Sequence, residues 1–274
     1  MAAKQDHWNL HARQWSWIGS PLRPAEEDMR AIARALASWQ GADGGRAPQV
    51  LLLGVTPEIR GMRWPRGTGL VALDHSRAMI GGVWRDNDQT GAAVCANWTA
   101  MPLAPASRDL IVGDGCFSAL YFPVQYQRMV AEMRRVIRDG GLLLMRYFNR
   151  PERRESLPVV FGALRAGRIG NFHAFKWRLA MALHGTLDEG VRLADIWDAW
   201  HAEVADPEGL AQSLGWAPEA VRTIDAYRGV ETRYTFPTLA ESRAAVASAF
   251  AEVECLFPGY ELGERCPTLV LRPR

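Results

Sequence analysis

Long apolar runs are missing from this chain of 274 residues. No stretch approaches the roughly 20 residues that a bilayer-crossing helix needs, which argues against a membrane protein. Cysteine is scarce. Cys95, Cys116, Cys255 and Cys266 stand far apart and form no CxxC pair, so neither a disulfide framework nor a zinc ribbon is expected, and no metal site is assigned. An excess of one charge is also lacking. The 32 Lys and Arg residues against 30 Asp and Glu leave a formal charge of +2, so no global field points to nucleic acid or to an acidic membrane surface. Internal repeats and low-complexity tracts are absent. The first residues, with Lys4, Asp6, His7 and His11, lack the apolar core of a signal peptide, and the expectation is a reduced, cytoplasmic protein. What is plentiful is tryptophan, at 11 residues, with Trp8, Trp15 and Trp17 clustered near the start.

The most informative stretch is Val50-Leu51-Leu52-Leu53-Gly54-Val55-Thr56-Pro57-Glu58. An apolar run ending at glycine reads as a buried parallel strand breaking into a turn. Twenty residues after Gly54, the run Leu70-Val71-Ala72-Leu73 ends on Asp74 and reads as its neighbour. In a doubly wound sheet both strand ends open on one crevice. The first then offers backbone N–H groups and the second a carboxylate for the hydroxyls of a ribose. The pair implies a nucleoside cofactor.

The rest of the chain alternates between strand and helix. Met29, Ile32, Leu36 and Trp39 share a helical face, with Glu26, Glu27 and Asp28 in the first turn where the helix dipole favours acids. Gly41-Ala42-Asp43-Gly44-Gly45 breaks that helix. Strands are predicted at about 49–53 and 70–73, at 92–95 leading to Asn97-Trp98, and at 110–112 ending at Gly113-Asp114-Gly115. A helix with Met129, Val130, Met133, Val136 and Ile137 on one face is expected to stop at Arg138-Asp139-Gly140-Gly141, glycine providing its cap, before a strand at 142–145. Alternation lapses from about 150 to 235. It returns with a helix over 239–250, a strand at 253–257 and a last strand at 268–271. The predicted organisation is a helical lid (1–45), an α/β core (46–149 and 236–274) and a mainly helical insertion (150–235).

In order and spacing these motifs resemble the class I S-adenosylmethionine-dependent methyltransferases. The resemblance rests on the glycine turn after strand one, the acid ending strand two, the polar–aromatic pair after strand three, the Asp-Gly-Gly turn and the closing strand pair. It covers about 49–148 and 237–272. It implies a Rossmann-like, seven-stranded doubly wound sheet with its last strand antiparallel, and S-adenosylmethionine as cofactor. The chain departs from the family's acid-x-Gly-x-Gly-x-Gly run: Leu52 takes the acid position, and Thr56 and Glu58 the second and third glycine positions. Glu58 is a candidate replacement acid for the methionine ammonium, or else a helix N-terminal acid, and Pro57 suits that helix's first turn.

On this resemblance the cofactor-binding candidates are Gly54, Thr56, Glu58, Asp74, His75, Met79, Asn97, Trp98 and Asp114. Asn97 would meet the adenine amino group through its amide oxygen, with Trp98 packed on the ring. Catalytic candidates are Asp114, His11 and His173, and substrate contacts are assigned to Trp15, Arg146 and Phe172. The segment Arg150–Arg178 interleaves seven basic residues with Phe161, Phe172, Phe175 and Trp177, and so suggests an anionic or aromatic small-molecule acceptor, methylated at N or O. For the turn 258–267 a buried Glu–Arg lock is expected. Two other readings stay open: an NAD(P)-dependent oxidoreductase, since a glycine turn and an acid 20 residues on also suit a dinucleotide, and a non-catalytic S-adenosylmethionine-binding regulator. A homo-oligomer is open, and nucleic acid is disfavoured.

Overall fold

Nine strands and eleven helices order the residues described by the structure, a computed structural model covering 7–42, 46–84 and 91–274. Lys4 and Asp6, and Asp43-Gly44-Gly45 of the expected helix break, lie outside the described residues. Seven strands form one sheet: β1 (Gln49–Leu53), β2 (Gly69–Asp74), β3 (Ala92–Cys95), β4 (Arg108–Asp114), β5 (Ile137–Arg146), β8 (Phe250–Leu256) and β9 (Thr268–Pro273). Their spatial order is β3-β2-β1-β4-β5-β9-β8. Strands β1 to β5 pair in parallel, while β9 runs antiparallel to both β5 and β8. This is the predicted Rossmann-like topology, its strand order reversing at β1, between β2 and β4.

Strand alternation builds the core. Leu51 and Leu53 of β1, Ile111 of β4, and Leu143 and Met145 of β5 point to one face. There they meet Met129, Val130, Met133 and Val136 of α5 (Val124–Val136) and Val246 of α11 (Leu239–Val246). Val50, Leu52, Leu110, Val112, Leu142 and Leu144 face the other way. They pack on Ile32, Leu36 and Trp39 of α2 (Glu26–Ala42) and on Met79 and Val83 of α4 (Arg77–Val83). Buried on both faces, the central strands read as continuous apolar runs. Each such leucine contributes about 1.5–3 kcal/mol.

One boundary differs from expectation. Helix α5 ends at Val136, and Ile137 is already extended (φ −78°, ψ 141°). The Asp139-Gly140-Gly141 turn therefore lies within β5, not at a helix cap. Gly140 takes φ +82° where the β4–β5 register jumps from Arg108↔Ile137 to Leu110↔Leu142. The turn is a bulge that brings Leu142 into register, a shift that hydrophobic periodicity does not reveal. Helix α11 is likewise shorter than expected; a Thr238–Glu241 capping box starts it, but Phe250 already belongs to β8.

Between β5 and α11 lie α6 (Leu157–Arg165), α7 (Phe172–Leu183), α8 (Leu193–Glu203), α9 (Pro207–Ser213) and α10 (Pro218–Arg222). A short ribbon of β6 (Val191–Arg192) and β7 (Arg233–Tyr234) joins them. They have their own apolar cluster, with Phe161, Phe172, Phe175, Trp177, Trp200 and Phe236 among its large members. At the other end of the chain, α1 (His7–Arg13) packs against α4 and against the turn 223–227. It thus bridges the sheet and the inserted helices across the carboxyl ends of the strands.

Candidate active site

Backbone geometry at the strand ends comes first. After β1 the chain turns at Gly54, whose φ of +93° favours glycine. Its N–H donates to the Leu73 carbonyl (2.8 Å) and so binds the turn to β2. Val55 and Thr56 lead into the single helical turn α3 (Pro57–Arg60), with Pro57 at its first position. Strand β2 delivers Asp74, which is buried and accepts a hydrogen bond from the Ser76 N–H (2.8 Å). Ser76 in turn caps α4 through the Met79 N–H. Trp98 is held over the β1–β2 turn by its indole N–H, which donates to the Leu73 carbonyl (2.6 Å).

Strand β4 delivers Asp114. The next residue, Gly115, has φ +63°, and a Cβ there would lie 2.3 Å from Phe148 Cε2, so both conformation and crowding require glycine. Asp114 Oδ1 accepts from Arg146 Nη1 (2.5 Å). The buried Arg146 guanidinium also faces Asp28 (3.2 Å), the Tyr260 hydroxyl (2.8 Å) and the Pro21 carbonyl (2.6 Å). Burial pushes the Asp114 carboxyl up to about 6 despite that partner, with Asp28 and Glu58 adding to the rise.

These strand ends form one wall of a cleft that is open to solvent. Gly54, Thr56, Asp74, Met79, Trp98 and Asp114 lie on that wall. The opposite wall is aromatic: Trp8, His11 and Trp15 from the N-terminal segment, Phe148 after β5, and Trp177, Tyr227 and Tyr234 from the inserted helices. His75 and Asn97 line an adjoining cleft shared with Trp8, Trp98 and Tyr234.

Besides His75 and Asn97, four expected site residues are absent from the cleft wall: Phe172, His173, Arg146 and Glu58. Phe172 packs between Phe175, Trp200 and Trp216 in the inserted helices and is absent from the cleft wall. His173 also lies off the wall. Its Nε2 is hydrogen-bonded to the Trp17 carbonyl (2.8 Å), so it braces the N-terminal segment. Arg146 is off the wall and lies against it at Asp114 and at the Phe148 ring, 5.1 Å from its guanidinium. Asn97 uses its amide oxygen on the Thr99 N–H and hydroxyl (both 2.9 Å), which corrects the expectation that this oxygen is directed to an adenine.

Glu58 forms an ion pair with Arg23 (2.6 Å), whose Nη1 also donates to the Trp15 and Ile18 carbonyls. The pair fastens the N-terminal segment to α3, while Glu58 Oε2 is buried without a partner. Several basic residues of the segment 150–178 make structural contacts, Arg154 with the His184 carbonyl among them. Arg150 pairs with Glu241, Arg165 with Glu203 and Arg178 with Glu155. Within the turn 258–267 Arg265 does pair with Glu264 (3.4 Å), but Glu264 is exposed, and longer ties add to this contact. Arg265 reaches Glu155 (2.6 Å), and Glu261 accepts from the Gly170 N–H.

Sequence reasoning missed Trp8, Phe148, Tyr227 and Tyr234 as cleft residues and placed Trp177 only in a general aromatic segment. The tryptophan cluster was a signal for Trp8. Tyr227 and Tyr234 carry none, since nothing local says which inserted turn folds back over the strands.

With the glycine turn at the strand-order reversal, an acid ending β2 and an antiparallel terminal hairpin, the core has the architecture of a class I S-adenosylmethionine-dependent methyltransferase. Residues 58–145 match the family described as "Methyltransferase domain", so the chain carries that domain and the class of enzyme is an S-adenosylmethionine-dependent methyltransferase. The match begins just beyond the glycine turn, where the family's first motif is irregular here.

The CcbJ methyltransferase of Streptomyces caelestis is similar at 15% identity and TM-score 0.56, covering 99% of both chains. The N-methyltransferase NodS of Bradyrhizobium japonicum, solved with S-adenosyl-L-homocysteine, is similar at 11% identity and TM-score 0.52, covering 98% of both. A Rhodobacter sphaeroides protein described as "Putative Zn-dependent Alcohol Dehydrogenases" has TM-score 0.62 at 13% identity and full coverage of both chains. At these identities the likeness is one of fold. A search of curated proteins finds no match. Among the described residues no cluster of three or more His, Cys, Asp or Glu side chains is arranged to hold a metal ion, and no helix is long and apolar enough to cross a membrane.

The family implies S-adenosylmethionine, and the cleft wall fits it: Asp74 at the end of β2, with apolar Met79 and Trp98 on the same wall.

Proposed function

We propose that this protein transfers a methyl group from S-adenosylmethionine to a nitrogen or oxygen of a small organic acceptor bound in the aromatic half of the cleft. One observation carries the reading: the strand-end carboxylates Asp74 and Asp114 share a single cleft with a wall of aromatic rings and His11.

The cofactor, when bound, supplies an activated sulfonium methyl. What remains for the protein is binding, alignment and a place for the acceptor's proton. Asp74 is assigned to the ribose hydroxyls and Met79 and Trp98 to the adenine. Glu58, which stands off the cleft wall in α3 with Oε2 unpartnered, is assigned to the methionine ammonium. The N-terminal segment, clamped by Arg23–Glu58, excludes water. With Asp74 assigned to the ribose, His11 and Asp114 are left on the cleft as groups able to take the acceptor's proton. Burial, then Lys176, His7 and His173, hold the His11 imidazole well below its usual value, so it is neutral. His75 is assigned to the rim.

Calorimetric titration with S-adenosylmethionine and S-adenosylhomocysteine, with NAD and NADP as controls, tests the donor. Binding of the adenosyl-sulfur ligands alone is expected. Binding of the nicotinamide nucleotides instead would replace this reading by hydride transfer.

A further inference from the structure

The acceptor half of the cleft has a chemical bias that the fold does not impose. Of the residues on its wall, Trp15 and Trp177 have buried indole Nε1 atoms without a hydrogen-bond partner, and His11 has a buried Nδ1 in the same state. Buried polar groups left unpaired are costly, and an indole N–H can only donate. Two such donors call for a hydrogen-bond acceptor, such as oxygen; an alkylammonium, itself a donor, meets neither.

Charge on this wall is equally selective. Among the described residues no lysine or arginine lines the cleft, so a carboxylate or phosphate finds no direct counter-ion there. Behind the wall, Lys176 is completely buried. Its Nζ donates to Thr223 Oγ1 (3.1 Å) and stands 5.2 Å from the Tyr227 ring centroid, and no ion pair joins it to a carboxylate among the described residues. An amine in that place opposes a permanent cation and favours negative charge that develops on the cleft side during reaction. The wall is otherwise rings: Trp8 and Tyr227 each stand 5.6 Å from His11, and Trp177 lies 6.0 Å from Tyr234. Such edges suit a flat partner.

We infer that the acceptor is a neutral planar aromatic alcohol, methylated on its hydroxyl oxygen, with Trp15 and Trp177 donating to its oxygens and His11 accepting the hydroxyl proton. The inference rests on the methyl transfer proposed above and narrows it. In the step, an oxygen lone pair forms the O–CH3 bond, the S–CH3 bond breaks with its electrons remaining on sulfur, and the O–H proton passes to the His11 imidazole. Lys176 acts through the wall and touches no reactant; it is a positioning residue.

Three probes on one ring system separate the classes: 2-naphthol (neutral), 2-naphthylmethylamine (cationic) and 2-naphthoate (anionic). Each is titrated by tryptophan fluorescence into the protein saturated with S-adenosylhomocysteine, and each is assayed for mass gain of one methyl with S-adenosylmethionine. The naphthol is expected to bind at least about tenfold tighter than either charged analogue and to be the one methylated. Equal or tighter binding of the amine or the acid, or binding of none of them, overturns the inference. Saturation by S-adenosylhomocysteine is checked first, so failure of the donor reading is seen separately. Lys176→Met, nearly isosteric and apolar, should retain S-adenosylhomocysteine affinity while cutting the naphthol-over-amine preference about threefold or more. A preference unchanged in Lys176→Met removes the lysine's part, and one unchanged in Trp177→Phe removes the indole donor's.

Discussion

Arg146 Nη1 stands 2.5 Å from Asp114 Oδ1, and both side chains are almost wholly buried at the ends of neighbouring strands. The same guanidinium meets Asp28 of α2 and Tyr260 of the turn before β9. One cation thus joins two parallel strands, the first long helix and the terminal hairpin directly beneath the cleft. Breaking such a pair by removing one partner is costly, because the other charge is left buried. Arg146→Ala should therefore lose about 3–5 kcal/mol of stability in denaturant titration. Losing less than 1 kcal/mol would mean that the network has no structural part.

Asp114 gives the pH dependence a definite sign. Its folded-state value, about 6, exceeds the ordinary 3.8, so the folded protein binds the proton more tightly than the unfolded chain does. The contribution to stability is fully present below about 3.8 and is lost as pH rises through about 6. Asp114→Asn removes this dependence. Between pH 4 and pH 7 the parent should lose about 2–3 kcal/mol relative to the variant. Parallel stability curves for the two proteins over that range would contradict the assignment.

Gly54 and Gly115 share a positive φ but differ in surroundings. At Gly54 the nearest atom to an added Cβ is Trp98 Cζ2 at 3.9 Å, whereas at Gly115 it is Phe148 Cε2 at 2.3 Å. Gly54→Ala should cost about 1–2 kcal/mol, the backbone strain alone. Gly115→Ala should cost more, because Phe148 must move and it lines the cleft. Denaturant midpoints rank the two, and equal losses would show that the ring yields freely.

The sheet was legible because buried parallel strands are continuous apolar runs, and the runs ending at Leu53, Asp74 and Asp114 name three strand ends on one crevice. Met79 and Trp98 were legible by position after those strands. The Asp139-Gly140-Gly141 turn misled, since a glycine pair looks the same at a helix cap and in a bulge. Phe172, His173 and several basic residues of 150–178 also misled. Their types suggest ligand contact, yet a long insertion needs its own core and ion pairs, and those needs absorbed them. Tyr227 and Tyr234 reach the cleft by tertiary folding alone.

Lys176 is a stability liability with a calculable window. Burial lowers its amine to about 7 from the usual 10.5. The groups around it, His11, His173, Tyr227 and Thr223, bring no carboxylate among the described residues. Stability from this site is present above about 10.5 and is lost as pH falls toward 7. Lys176→Met should therefore be more stable than the parent near pH 7, by about 2–5 kcal/mol, with the advantage shrinking toward pH 10.5. A variant less stable than the parent at pH 7 would mean that the amine has an anionic partner in solution.

Asp74 is the residue we propose for the ribose hydroxyls. Its Oδ1 already accepts from the Ser76 N–H, so the carboxylate is fixed in direction before any ligand arrives. A charged acceptor facing a ribose hydroxyl contributes about 1.5–3 kcal/mol, and Asp74→Ala should weaken S-adenosylhomocysteine binding by about tenfold or more. Asp74→Asn keeps one acceptor and should fall between the two. Loss of the Ser76 contact lowers stability by about 1 kcal/mol in either variant, so calorimetry is done well below the midpoint of unfolding. If Asp74→Ala binds as tightly as the parent, the ribose lies elsewhere in the cleft, and the carboxylate serves only to order the turn into α4.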